Sequence, residues 1–484
     1  MLVRLSTSLA AVDHAVAAMG LCSGFVFELP PDCDAAARLA LLQNLHSATR
    51  RVTAQWALLR GRPRWLDEDK IWAIDVPDET ATEDKPYLFT SATVTTTYTV
   101  AAGLSSPLTP LSPTSPCTVQ PQPKTAFFRH DALPTSFQGY ADANASLLAV
   151  HVTTFADAVT VGLSAPHGLF DATGLGLAVR ALSAELHGHV WQAPALSSEN
   201  ALDVAIESLP TPPSSGPVAL PGWTSATSVG PVVKFLVNYV VEKAWYRDEK
   251  KYLFLNEQVV SRLVQSTKAE AAVERRWVSA GDTLTAWLLK SAHREEVGEQ
   301  LSITGSAVYT LRKMLSLANY PHNAMLPYPL TPDPISLDRL ASLSLAELAY
   351  LHRRALEAAR TPAHAQGVVK KMEEARVVPE HSWPQPLAFL GRSAPPVFRW
   401  ISSNQMSSGV ADLALPLSAF GLDRPPLEAG QSAGLLAYYM LVVSPIRDHQ
   451  VFRFQANKCG IFLEGSMRRS RWRSVEKTMR ELQR

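Results

Sequence analysis

Apolar positions recur at three- and four-residue spacing from Ala35 to Leu59, which predicts an amphipathic helix. Ser146 to Thr153 (SLLAVHVT) and Ala158 to Leu163 (AVTVGL) alternate β-branched and aliphatic residues instead. They read as two short strands with Ala156-Asp157 at the bend. A turn rich in small residues, SAPHGLFDATG, follows, and helical spacing resumes from about Leu175 to Leu186. Further on, Ser279-Ala280-Gly281-Asp282 puts a carboxylate three residues past a serine, the pattern of a capping box, and opens a helix through TLTAWLLKSAHR. Ser306 to Leu311 reads as a strand, and Leu343 to Ala359 as a strongly amphipathic helix. Strands mix with helices without regular alternation, so α/β layers are expected in each half rather than a doubly wound sheet.

Three proline-rich stretches punctuate this pattern. Residues 104–124 read as an exposed loop and 376–396 as a long surface excursion. The stretch from 194 to 231 lacks apolar periodicity and separates two patterned halves. The expected division is a first domain over 1–190, a proline-rich crossover over 191–232 and a second domain over 233–484. A chain of 484 residues fits that count at roughly 100–200 residues per domain. Hydrophobic residues at 46% and charged residues at 18% exclude wholesale disorder. With 45 Lys and Arg against 44 Asp and Glu there is no global field to attract nucleic acid or an anionic membrane, so partners are recognised locally. Cys22, Cys33, Cys117 and Cys459 lie far apart with no CxxC spacing, which suits reduced thiols in a cytoplasmic protein and no metal. The longest apolar run, Leu435 to Val443, is about half the roughly 18 residues of a membrane span. The N-terminus begins like a signal peptide, but Asp13 and His14 interrupt it, so it reads as mature protein and Asn144-Ala145-Ser146 as an unused sequon.

Of thirteen histidines, only His167 has an aspartate four residues on, Asp171, with Gly174 after it. The turn joins a strand to a helix, a position at a sheet rim where sites are commonly built. A neutral imidazole there could take a proton from an attacking hydroxyl or amine and return it, since an ordinary histidine titrates near 6.5. Asp171 would either set the imidazole tautomer or turn away to pair with an arginine. On this element alone a satisfied histidine in a tight turn is the favoured reading. Gly430-Gln431-Ser432-Ala433-Gly434 matches the GxSxG of a hydrolase elbow, but a strand-like run follows where a helix is needed, so Ser432 reads as a turn residue. The basic tail from Arg468 to Arg484 is interrupted by Glu476 and Glu481 and reads as a solvated terminal helix, with contact to phosphates as the other reading.

In these motifs the chain resembles the BAHD-type acyl-CoA-dependent acyltransferases of the chloramphenicol acetyltransferase superfamily, over nearly its whole length and with a fungal flavour. His167 to Asp171 matches the HxxxDG hallmark with its glycine displaced to Gly174. Ser279 to Trp287 is similar to the family's Ser-x-x-Asp-x-x-x-Ala helix. Tyr320-Pro321-His322-Asn323-Ala324 is similar to its Tyr-x-Gly-Asn-Ala turn, with His322 in place of glycine. Ala419 to Pro425 is a degenerate DFGWGKP that keeps Phe420, Gly421 and Pro425 as a structural support.

The resemblance implies two similar α/β domains, mixed sheets flanked by helices, with an active-site channel between them. It implies His167 as general base, Asp171 as an orienting residue and Arg312 as the arginine that pairs with it across the domains. Trp400-Ile401-Ser402-Ser403-Asn404 would line the acyl site, with Ser403 or Asn404 stabilising the oxyanion. Acyl-CoA, acetyl-CoA above all, would be a co-substrate rather than a tightly bound cofactor. Its phosphates would meet the helix head at Ser279 and Thr283, with Arg275 and Arg276. The expected enzyme is a cytoplasmic monomer acylating a hydroxyl or amine of a small secondary-metabolite acceptor. Two alternatives keep the fold: a non-catalytic binding protein, suggested by the degenerate DFGWG segment, and a transferase fed by a carrier protein. The second lacks the doubled histidine of condensation domains, since Pro166 precedes His167.

Overall fold

The β-branched runs assemble into three sheets. The computed structural model describes residues 5–8, 16–66, 68, 71–77, 86–197, 199–210, 237, 240, 248–296, 302–376, 397–422, 431–443 and 451–484. The first half supplies β1 (Leu5–Ser8), β2 (Gly20–Glu28), β3 (Arg62–Leu66), β4 (Ile71–Val76), β5 (Leu88–Thr93), β6 (Thr118–Pro121), β7 (Ala149–Thr154) and β8 (Ala158–Pro166). The second supplies β9 (Asp248–Asn256), β10 (Ser302–Thr310), β11 (Met325–Pro329), β12 (Ile335–Ser336), β13 (Val397–Asn404), β14 (Leu435–Val443), β15 (Val451–Asn457) and β16 (Gly460–Arg468). Helices of fourteen or more residues among those described are α1 (Ala35–Gln55), α2 (Ala172–His187), α3 (Glu257–Val273), α4 (Ala280–His293), α5 (Leu345–Ala359), α6 (Pro362–Arg376) and α7 (Arg469–Gln483).

One mixed sheet has the order β14-β2-β8-β7-β5, and the other β11-β10-β13-β15-β16-β9-β6, with β12 beside β10. A small sheet, β1-β4-β3, stands apart. Each large sheet takes a strand from across the chain. β14 pairs antiparallel with β2 from Leu435↔Phe27 to Val443↔Gly20, and β6 pairs antiparallel with β9 from Thr118↔Phe254 to Pro121↔Lys251. Sheet membership therefore cuts across the linear halves. It also places part of the 104–124 stretch, read as exposed loop, inside a sheet.

Helices cover these sheets with two main cores. Leu41, Leu45 and Val52 of α1 meet Leu175 and Val179 of α2, while Leu284, Leu288 and Leu289 of α4 meet Trp400, Phe452 and Trp472. The helix expected from Ala35 to Leu59 ends at Gln55. Buried Trp56 leaves helical geometry to pack on Phe170, 5.6 Å between ring centroids, and a short 3₁₀ turn carries on from Ala57 to Arg60. The expectation of a solvated terminal helix is overturned. Trp472, Val475 and Met479 recur on one face of α7 and are buried, and buried Arg471 pairs with Glu296 at 2.9 Å. A stripe at that spacing seats a helix whatever its overall charge.

β7 and β8 are buried along their whole length, and β8 runs through Pro166 to deliver His167 at its end. No helix among the described residues is long and apolar enough to cross a membrane. The four cysteines are unpaired, and no cluster of three His, Cys, Asp or Glu among the described residues could hold a metal. Pro425, residues 211–232 of the crossover and 377–396 of the third proline-rich stretch lie outside the described residues, as do Asp13 and His14.

Candidate active site

The HxxxD turn is held at both ends. The His167 N–H donates to the Met19 carbonyl at 2.8 Å, beside β2. Asn323 Nδ2 donates to the His167 carbonyl at 2.7 Å, and His322 Nδ1 lies 3.2 Å from the Leu169 carbonyl. The 320–324 turn of the second half thus grips a turn of the first. A carbonyl can only accept, so the His167 Nδ1, 2.9 Å from the Phe170 carbonyl, carries the proton. Nε2 is left with its lone pair available. Burial pulls the His167 pKa below its usual 6.5 and the Arg453 guanidinium adds to this, against the Phe170 bond and the Asp171 charge. The imidazole is therefore neutral at neutral pH.

Asp171 does not touch that imidazole. It caps α2, Oδ1 accepting from the Thr173 and Gly174 N–H groups at 2.9 and 3.0 Å. Arg312 meets the same carboxylate with two bonds, 2.7 and 2.9 Å, and the Ala324 N–H adds a third from the second half at 3.2 Å. The guanidinium also donates to the Tyr320 and His322 carbonyls at 2.9 and 2.6 Å. Of the two roles left open by the sequence, the arginine pairing is the one found. Gly174 is needed because a Cβ there would lie 1.9 Å from the Pro321 carbonyl oxygen. His322 is buried, and burial lowers its pKa to about 4, so it serves as a neutral brace.

Ser403 and Asn404 end β13. Gln405 Nε2 donates to Ser403 Oγ at 3.0 Å and Gln455 Nε2 donates to Gln405 Oε1 at 3.0 Å, which leaves the Ser403 hydroxyl proton available. The Asn404 amide lies against the first turn of α4, since a Cβ on Gly281 would sit 1.9 Å from its Nδ2. The capping box opening α4 is formed as the sequence expects, the Ser279 N–H donating to Asp282 Oδ2 at 2.7 Å and the Asp282 N–H to Ser279 Oγ at 3.3 Å, and Ser279 Oγ itself donates to Asp282 Oδ2 at 2.7 Å. Thr283 Oγ1 donates to the Ser279 carbonyl at 3.1 Å, so both hydroxyls are engaged within the helix head. Arg276 pairs with Glu274 and stacks on Tyr350, and Arg275 adopts a left-handed φ of 54°. Arg353, unnoticed in the sequence, donates from Nε to Asp282 at 2.8 Å and stacks on Trp277. Its only sequence signal is a cation on an amphipathic helix. Phe420 is fully buried in the first core, and Gly421 ends its 3₁₀ turn at a φ of 67°. Ser432 makes an isolated bridge to Pro416 and is followed by β14, not by a helix. A cleft of about 850 Å³ between the halves is lined by Thr173 from one side and Arg312, Lys313, Arg360 and Ser407 from the other.

No family model matches the chain. It is 24% identical over 182 residues to the O-acetyltransferase PaAT-2 of Phomopsis amygdali, covering 35% of this chain and 36% of that protein. It is 27% identical over 161 residues to the O-acyltransferase pboC of Aspergillus ustus, covering 33% of each. The chain thus matches about a third of the length of these relatives. Among solved structures, F. graminearum TRI101 complexed with coenzyme A and deoxynivalenol superposes with a TM-score of 0.66 at 12% identity, over 98% of this chain and 97% of that one. Vinorine synthase superposes with a TM-score of 0.55 at 12% identity, over 98% and 93%. The chain has the fold of the BAHD-type acyltransferases. The resemblance drawn from the motifs thus holds for the architecture, two sheet-rich bodies with mixed sheets and flanking helices.

Proposed function

We propose that the chain is an acyl-CoA-dependent acyltransferase that moves an acyl group, acetyl in the first instance, to a hydroxyl or amine of a small secondary-metabolite acceptor. The observation that carries this reading is the His167 tautomer: Nδ1–H is tied to its own turn and Nε2 is unprotonated at neutral pH. At the end of β8, in the turn that resembles the HxxxD hallmark, such a group can take the acceptor's proton.

In this reading Nε2 takes the acceptor proton as the acceptor oxygen or nitrogen bonds to the thioester carbonyl carbon. The negative charge passes to the carbonyl oxygen, where the Ser403 hydroxyl donates to it. Collapse breaks the carbon–sulfur bond, and the imidazolium returns the proton to the leaving thiolate. No covalent acyl-enzyme is formed. Asp171 and Arg312 hold the turn and do not react. The donor phosphates meet Arg275 and Arg276 at the head of α4. Ser279 and Thr283 shape that head, and its first-turn N–H groups offer the positive end of the helix dipole. Contact between Asn404 and Gly281 supports this placing, because it joins that head to the end of β13. The protein acts as a cytoplasmic monomer with no metal.

The test is thiol release from acetyl-CoA in the presence of small alcohols and amines. His167→Ala should lower the rate by roughly 100-fold or more, the scale of a lost general base. The wild-type rate should hold level through neutral pH and fall only below about 6.5, because protonation of Nε2 is what removes the base. An unaffected rate in the alanine variant sinks the reading.

A further inference from the structure

Trp287, Lys290, Ser291 and Arg294 recur along α4 at three- and four-residue spacing, so they share one side of that helix. That side borders a cavity of about 360 Å³, closed by Leu263 of α3, Leu345 of α5, Leu482 of α7 and Leu340 of the short helix Leu337–Ser342. Protein interiors are close-packed with few voids larger than a water molecule, and cavities that take small ligands measure about 300–1,000 Å³. No residue of the HxxxD turn, of β13 or of the first turn of α4 lines it. Two donors in this wall have no acceptor among the described residues. The Ser291 hydroxyl belongs to a residue only 2% exposed and makes no hydrogen bond, and the Trp287 indole N–H is buried without a partner. A buried donor left without an acceptor is disfavoured, and each one in a native fold calls for an explanation. Lys290 adds a charge. Its Nζ donates to the Leu340 and Ala341 carbonyls at 2.9 and 3.2 Å and to the Leu343 carbonyl, and among the described residues no carboxylate is paired with it. Burial pulls its pKa below the usual value, against the charge of Glu347, which is itself held in the capping box of α5.

We propose that this cavity is a binding site for a small amphiphilic carboxylate, an aliphatic acid of medium chain length, separate from the transfer site. The hydrocarbon chain lies against Leu263, Leu340, Leu345 and Leu482. The carboxylate accepts from the Ser291 hydroxyl, and the Lys290 ammonium balances its charge. A cationic guest is repelled by Lys290, and a purely apolar one leaves both orphan donors as they are. Arg294, half-exposed and paired with Glu481 at 2.6 Å, stands where the cavity meets solvent. The site needs nothing from the acyltransferase reading and stands or falls without it.

The test is calorimetric titration of the full chain with decanoate, kept below its micelle concentration, in wild type, Ser291→Ala and Ala341→Trp. Urea unfolding establishes that each variant is folded. Wild type should bind one decanoate per chain. Ser291→Ala should weaken binding roughly tenfold, the scale of one hydrogen bond to a charged group. Ala341 lines the cavity from an exposed position, so Ala341→Trp fills the space without disturbing a core and should abolish binding. Decanol, with the same chain and no charge, should bind wild type roughly tenfold more weakly than decanoate does. Saturating coenzyme A should leave decanoate binding unchanged. No binding to the wild type, or binding undiminished in either folded variant, overturns the site. Decanol binding as tightly as decanoate overturns the carboxylate as the recognised group. Displacement of decanoate by coenzyme A places it in the transfer channel instead and overturns the separation of the two sites.

Discussion

At the scale of the residue, Asp171 is tied into the packing of its turn rather than to the His167 imidazole. Its carboxylate is fully buried and accepts from Thr173, Gly174 and Ala324 as well as from both Arg312 terminal nitrogens. The two charges satisfy one another, and removing one leaves the other buried without compensation. Asp171→Asn should therefore cost about 3–5 kcal/mol in urea unfolding and reduce soluble yield, and Arg312→Met should cost a similar amount. The double variant Asp171→Asn/Arg312→Met should cost less than the sum of the two, by about 2 kcal/mol or more, because the second change removes the orphan left by the first. A stable, soluble and wholly inactive Asp171→Asn would show instead that the carboxylate acts in the reaction.

At the scale of the element, what could be read in advance is what local spacing determines. The order strand, turn, helix around His167 follows from β-branched alternation and small residues, and the cap at Ser279 from bonds that reach only three residues. The arginine partner of Asp171 came from resemblance, since its 141-residue separation leaves no local trace. The same holds for the register that sets Ser403 beside Arg453 and Arg453 beside Glu464, which exists only once β13, β15 and β16 are paired. The terminal helix departs from its sequence reading because its charges dominate its composition while its apolar stripe is narrow. Trp472 makes the correction measurable: it is fully buried and its indole N–H donates to the Glu249 carbonyl at 2.8 Å. Trp472→Ala should cost about 3–5 kcal/mol in urea unfolding. A solvated helix would give a change within about 0.5 kcal/mol, which the same measurement would reveal.

At the scale of the whole molecule, the two halves are joined by more than the crossover. β14 gives the first sheet an outer strand paired with β2 from Gly20 to Phe27, and β6 does the same for the second sheet on β9. The candidate site is shared in the same way, with His167 and Asp171 from one half and Arg312 and Asn323 from the other. Separate expression of residues 1–220 would leave β2 as an open apolar edge, and the turn carrying His167 would lose Asn323. Residues 221–484 would have a buried Arg312 with no carboxylate. Each half alone is expected to aggregate or to lack a cooperative unfolding transition. Expressed together from one cell, the halves should purify as a one-to-one complex with a single unfolding transition, because every exchanged strand and the clamp can still form. A 1–220 fragment that unfolds cooperatively by itself would show that β14 is dispensable to the first sheet, and that the site is brought together by docking of two finished domains rather than by their folding as one.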